Sequence, residues 1–101
     1  MNSGFLHRIN PSKPVIVNFY ADWCVPCNQI PLALKEVKQE LKGIHILKVN
    51  VEENPFIAGQ YNVRRLPALM VFLSGKPEWK GEGIHSASEL KTILSRQMDK
   101  N

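Results

Sequence analysis

Cys24 and Cys27 are the only cysteines in the 101-residue chain. They sit two residues apart in Trp23-Cys24-Val25-Pro26-Cys27, and that spacing limits the chemistry open to them. A zinc site needs about four ligands. There is no second cysteine pair, and His7, His45 and His85 are scattered without ligand spacing, so no metal site is expected. A purely structural disulfide between such near neighbours closes too small a loop to stabilise much through chain entropy. Redox chemistry suits the pair best, because Cys-x-x-Cys near a βαβ pattern is a signature of reversible dithiol–disulfide exchange.

The flanking segments explain why this place favours a reactive sulfur. Val15-Ile16-Val17-Asn18-Phe19-Tyr20 has almost no polar residue and reads as a central strand covered on both faces. Residues 28–42 read as an amphipathic helix, with Ile30, Leu34, Val37 and Leu41 on one face and Lys35, Lys38, Gln39 and Lys42 on the other. The cysteines therefore fall at a strand-to-helix junction, where helix amides point outward without intrahelical partners. A thiolate there gains from those N–H groups and from the helix dipole, so its pKa falls and its reactivity at neutral pH rises. Gly43 is placed to end the helix, and Pro31 to kink or offset its first turn.

The remaining elements follow from periodicity and punctuation. Residues 3–9 form a short helix with Ser3 as its cap, and Asn10-Pro11-Ser12-Lys13-Pro14 breaks it. Residues 44–51 form a strand parallel to the first. Asn54-Pro55 caps a short helix over residues 55–61 that turns Phe56, Ile57 and Tyr61 to the core. Leu69–Leu73 is a third strand, Ser74-Gly75-Lys76-Pro77 turns the chain, and residues 78–82 return antiparallel. Ser86-Ala87-Ser88-Glu89 fits a capping box and opens a last helix with Leu90, Ile93 and Leu94 inward. The tail from about Gln97 is polar and expected to fray.

Length and composition fit a single domain over residues 1–101, with 44% apolar and 22% charged residues. The net charge of +4 comes from 13 Lys and Arg against 9 Asp and Glu. The bases form no run, so a mildly basic surface is expected and a nucleic-acid role is not. No apolar window of about 18 residues exists, so no membrane span is expected. Met1-Asn2-Ser3-Gly4 lacks the charged and apolar regions of a signal peptide. These readings favour the cytoplasm, where cysteine pairs are more often catalytic than structural.

Asn18-Phe19-Tyr20-Ala21-Asp22-Trp23-Cys24-Val25-Pro26-Cys27 resembles the strand, aromatic lead-in and Trp-Cys-x-Pro-Cys of the thioredoxin family. Lys48-Val49-Asn50-Val51, Arg64-Arg65-Leu66-Pro67 and Gly83 fall in register with later family landmarks, so the resemblance covers about residues 13–95. It implies an α/β thioredoxin fold, a central mixed sheet of about four strands flanked by helices. The segment before Val15 looks too short for the family's first strand and helix together, so that strand is expected to be missing.

The resemblance also implies roles. Cys24 would be the exposed nucleophile and Cys27 the inner, resolving thiol. Pro67 would sit in a cis peptide beside the sulfurs. Trp23, Val25, Pro26, Leu66, Pro67 and Ile84 would form an apolar rim around Cys24, with Gly83 allowing close approach of an extended substrate. Lys48 corresponds to a lysine near the family's active site. Asn18 stands at the proton-relay position, where the family usually carries a buried aspartate. Val25 and Arg65 each replace a usual glycine, and Pro31 lies one residue closer to Cys27 than usual. The implied function is a thiol–disulfide oxidoreductase acting on disulfide-containing proteins, monomeric and without a cofactor beyond its own disulfide. A thioredoxin reductase-type donor would return it to the dithiol. A binding module with idle cysteines is the competing reading; the presence together of Cys24, Cys27 and Pro67 favours the enzyme.

Overall fold

A nearly continuous apolar run, buried on both faces, makes Val15–Tyr20 (β1) the axis of the molecule. The computed structural model describes residues 3–99. β1 lies inside a four-stranded sheet of order β2-β1-β3-β4, built with His45–Asn50 (β2), Ala68–Leu73 (β3) and Lys76–Glu82 (β4). β2 runs parallel to β1, whereas β3 is antiparallel to β1 and β4 to β3. Among the described residues no strand precedes β1, as the short N-terminal segment suggested.

Strand alternation sends neighbouring side chains of β1 to opposite faces. Val15, Val17 and Phe19 join Phe5, Ile9, Leu47 and Phe72 in one apolar cluster, under Ser3–Arg8 (α1) and Pro55–Gln60 (α3). Ile16 joins Leu34, Val37, Leu69 and Leu90 in a second, under Ile30–Glu40 (α2) and Ala87–Met98 (α4). Each fully buried aliphatic or aromatic side chain contributes roughly 1.5–3 kcal/mol. The rings of Phe5, Tyr61 and Phe72 pack edge to face or tilted, with centroids 5.3–5.9 Å apart. Burial raises the Tyr61 phenol above its ordinary pKa.

Several helix boundaries differ from the sequence expectation, for local reasons. The helix expected over residues 28–42 begins as a 3₁₀ turn over Pro26–Gln29 and becomes α-helical only at Ile30. Pro26 is the first residue of the 3₁₀ turn and Pro31 the second of the α-helix, positions in the first turn where a missing N–H leaves no intrahelical bond unmade. Its far end stops at Glu40 without a left-handed glycine, because the positive-φ glycines are Gly75 and Gly83, not Gly43. Leu41 N bonds back to the Val37 carbonyl, and Lys38 reaches past the helix end, donating from Nζ to the Lys42 carbonyl at 3.0 Å and to that of Ile44. Asn54 precedes α3 but gives it no side-chain cap; its Nδ2 donates to the Asn50 carbonyl at 3.0 Å. Phe56 points outward and is 73% exposed, while Ile57 and Tyr61 pack inward. The C-terminal region stays helical to Met98, and Gln97, expected to fray, is buried. The capping box forms as expected, with Glu89 N donating to Ser86 Oγ and Ser86 N to Glu89 Oε1. The Ser3 side chain, Met1 and Asn2 lie outside the described residues.

Candidate active site

β1 ends at Tyr20, and the chain crosses the end of the sheet before the 3₁₀ turn begins at Pro26. Cys24 sits in that crossing and Cys27 inside the turn, joined by a disulfide with Cα atoms 5.4 Å apart. A backbone bond from Cys27 N to Cys24 O at 3.2 Å closes the loop beneath them. Ala21, Cys24 and Cys27 form a small buried cluster, with Tyr20, Val51 and Leu66 packed against it. Val51 and Leu66 also pack on the α1–α3 cluster, so the site rests directly on that core.

Exposure does not separate the two sulfurs. Cys24 and Cys27 are each 4% exposed, so the expectation of an exposed Cys24 fails for the disulfide form. Their surroundings do differ. Cys27 lines a cavity of about 170 Å³ with Asn18, Asp22, Pro31 and Lys48, and Cys24 does not.

Most of the expected rim is brought to this end of the sheet. Trp23 and Val25 are 65% and 74% exposed, flanking Cys24 on the outside. Pro26 is exposed at the start of the 3₁₀ turn, and half-buried Leu66 touches the cysteine cluster. The Leu66–Pro67 peptide is cis, and Pro67 is buried rather than exposed as a rim residue would be. Gly83 N donates to Pro67 O at 2.8 Å, which fastens the end of β4 beside that peptide. Gly83 adopts φ +85° in open space, a backbone state that side chains disfavour. Ile84 is exposed and lines a cavity with Asn28 and Gln29, which follow Cys27 in the 3₁₀ turn.

Asn18 is buried on the α2 side of β1, and its Oδ1 has no hydrogen-bond partner among the described residues. Lys48, its register partner on β2, stands with Nζ 5.0 Å from the centre of the Tyr20 ring. One residue of the site, Glu52, had no signal in the sequence. Glu52 Oε2 accepts from Trp23 Nε1 at 3.0 Å and holds the indole in place. Asn50 presents Glu52 by taking the N–H groups of Glu52 and Glu53 on its Oδ1. Asp22 shares the cavity behind Cys27 and is the carboxylate there. Among the described residues, no group of three His, Cys, Asp or Glu could hold a metal ion.

The thioredoxin family model matches residues 1–96. Thioredoxin 1 of Nostoc sp. is 39% identical over 94 residues, covering 92% of this chain and 84% of that one. The chain belongs to the thioredoxin family. A thioredoxin of Rickettsia felis is 37% identical over 86 residues, covering 84% of this chain and 82% of its own length. The oxidised thioredoxin of Plasmodium falciparum superposes with a TM-score of 0.83 at 26% identity, over 97% of this chain and 93% of that one. As a thioredoxin-family member with the Cys-x-x-Cys pair at disulfide distance, the protein is a thiol–disulfide oxidoreductase.

Proposed function

We infer that the protein reduces disulfides in other proteins, with Cys24 as attacking thiolate and Cys27 as resolving thiol. The position of Cys27 supports this order most directly. It faces inward onto the cavity with Asn18 and Asp22, whereas Cys24 lies between the exposed side chains of Trp23 and Val25. In the first step Cys24 Sγ⁻ attacks one sulfur of the substrate disulfide. A mixed disulfide forms, the substrate S–S bond breaks, and its other sulfur leaves as a thiolate that takes up a proton. Cys27 then loses its proton and attacks Cys24 Sγ. The mixed disulfide breaks, and the second substrate sulfur leaves and is protonated. The substrate gains two electrons and two protons, and the protein is left as the Cys24–Cys27 disulfide. A thioredoxin reductase-type donor restores the dithiol.

The apolar surface of Trp23, Val25, Pro26 and Leu66 suits an extended, partly unfolded substrate segment, with backbone bonding beside Pro67 and Gly83. No helix among the described residues is long and apolar enough to cross a membrane. In this reading the protein is a single domain over residues 1–101 that works as a monomer in the cytoplasm, without nucleic-acid or membrane partners. Its redox group would be its own disulfide, with no added cofactor.

Insulin reduction by dithiothreitol tests the reading. Wild type is expected to accelerate precipitation of the insulin B chain, and Cys24→Ser to abolish the acceleration. Equal rates would leave only the binding-module reading. Brief alkylation of the reduced protein followed by peptide mapping tests the order of the two thiols. Cys24 is expected to label much faster than Cys27, and equal labelling would overturn the assignment.

A further inference from the structure

β2 is the outermost strand on one side of the sheet. His45 N and Val51 N donate to Pro14 and Tyr20 of the β1 segment, so odd-numbered residues of β2 turn their backbone groups inward. By strand alternation, Ile46 and Lys48 present N–H and C=O groups to the outer side. Among the described residues no strand pairs there. An open edge of this kind is a template for a further strand.

Cavities line that edge on both faces of the sheet. On the α2 side one of about 650 Å³ is floored by Leu34 and Ile46 and carries Lys35, Lys42 and Lys48. A second, about 340 Å³, spans the edge from Lys38 and Ile46 to Arg8 and Leu47, and a third, about 260 Å³, meets Arg8 and Leu47 on the α1 side. No aspartate or glutamate lines any of the three. A strand seated 4.7–4.9 Å beyond β2 would send alternate side chains into the cavities on either face. The α2-side cavity has apolar walls and a basic rim, and the other two are more polar and also carry basic side chains.

We propose that the outer edge of β2 docks an extended acidic segment of a partner protein, which joins the sheet as a fifth strand. Main-chain bonds to Ile46 and Lys48 give the attachment. Small apolar side chains of the partner enter the flanking cavities, and its carboxylates meet Lys35, Lys42 and Arg8. A second copy of this chain does not fit the same edge. Pairing β2 with itself would set Lys48 and its basic neighbours against their own like charges, which is unfavourable across strands. This docking involves no step of disulfide exchange, although its α2-side cavity shares Asn18, Pro31 and Lys48 with the cavity behind Cys27.

A short peptide alternating glutamate and valine is the probe. Titrated into the isotopically labelled protein, it is expected to slow hydrogen exchange at the Ile46 and Lys48 amides. A Lys35→Glu, Lys42→Glu double variant is expected to bind it about tenfold more weakly. Both positions are exposed, so the variant should keep wild-type stability and insulin reduction. N-methylation of the peptide on its β2-facing nitrogens is expected to abolish binding with its charge unchanged. Absence of binding would overturn the proposal. So would binding without protection of Ile46 and Lys48, equal binding of a lysine–valine peptide, or concentration-dependent protection in the protein alone, which would mark self-pairing.

Discussion

Asn18 stands where the family resemblance implies a buried aspartate, and the structure gives that residue a location. It is 2% exposed and lines the cavity that also holds Cys27. A carboxylate there would repel a nearby thiolate and raise the thiol pKa. An amide exerts no such repulsion and cannot accept the Cys27 proton. Asn18→Asp is therefore expected to raise the cysteine pKa values, make the reduction potential more negative and speed resolution of the mixed disulfide by supplying a base. The new carboxyl is buried, so its folded pKa lies above the ordinary value of about 3.9. A raised carboxyl pKa makes the variant least stable, relative to wild type, at neutral pH, with recovery as pH falls. Thiol titration, redox equilibration with glutathione and urea unfolding across pH check these signs. A lowered thiol pKa would contradict them. The cysteines and Asn18 were legible because spacing and strand pattern are local. Glu52 was not, since its bond to Trp23 joins residues 29 positions apart and depends on how the chain turns after β2.

At the scale of elements, the clearest local device is the cap of α4. Ser86 and Glu89 exchange side-chain and backbone bonds at the helix start. Ser86→Ala is expected to cost about 1 kcal/mol in urea unfolding at neutral pH. Hydrogen bonds from the Ser86 backbone and side chain hold the Glu89 carboxyl below its ordinary pKa. A depressed folded pKa stabilises above the unfolded value and loses that effect as pH falls through the folded one. The stability gap between wild type and Glu89→Gln is thus expected to close on acidification; a gap independent of pH would contradict it. This cap was readable because its donors and acceptors lie within one turn. The end of α2 was not, because the helix stops at Glu40 with Leu41 as its cap, two residues before Gly43, and Lys38 ties the following turn by reaching to the Lys42 and Ile44 carbonyls. Phe56 was misplaced because a helix as short as α3 carries too few turns for periodicity to fix its inner face.

For the whole molecule, the sheet divides the interior into two apolar clusters, and the site stands on the α1–α3 one through Val51 and Leu66. Phe72 is fully buried there between the rings of Phe5 and Tyr61. Phe72→Ala is expected to cost about 3–5 kcal/mol, a large share of the roughly 5–15 kcal/mol that holds a typical domain together. A midpoint in urea within error of wild type would show that this cluster is not the foundation of the fold. The strand sequence of the fold was readable from apolar runs and turns, but the pairing of β1 with β3 was not, because nothing local links Val15 to Phe72. That pairing has a consequence for synthesis on the ribosome. Chains grow at about 5–20 residues per second, so both cysteines are made seconds before Pro67 and β3. Until Ala68–Leu73 arrives, β1 lacks one neighbour and the two thiols lack the peptide that will lie beside them. The redox pair is thus chemically competent before it is housed, and a newborn chain meets its first oxidants without its own architecture around it.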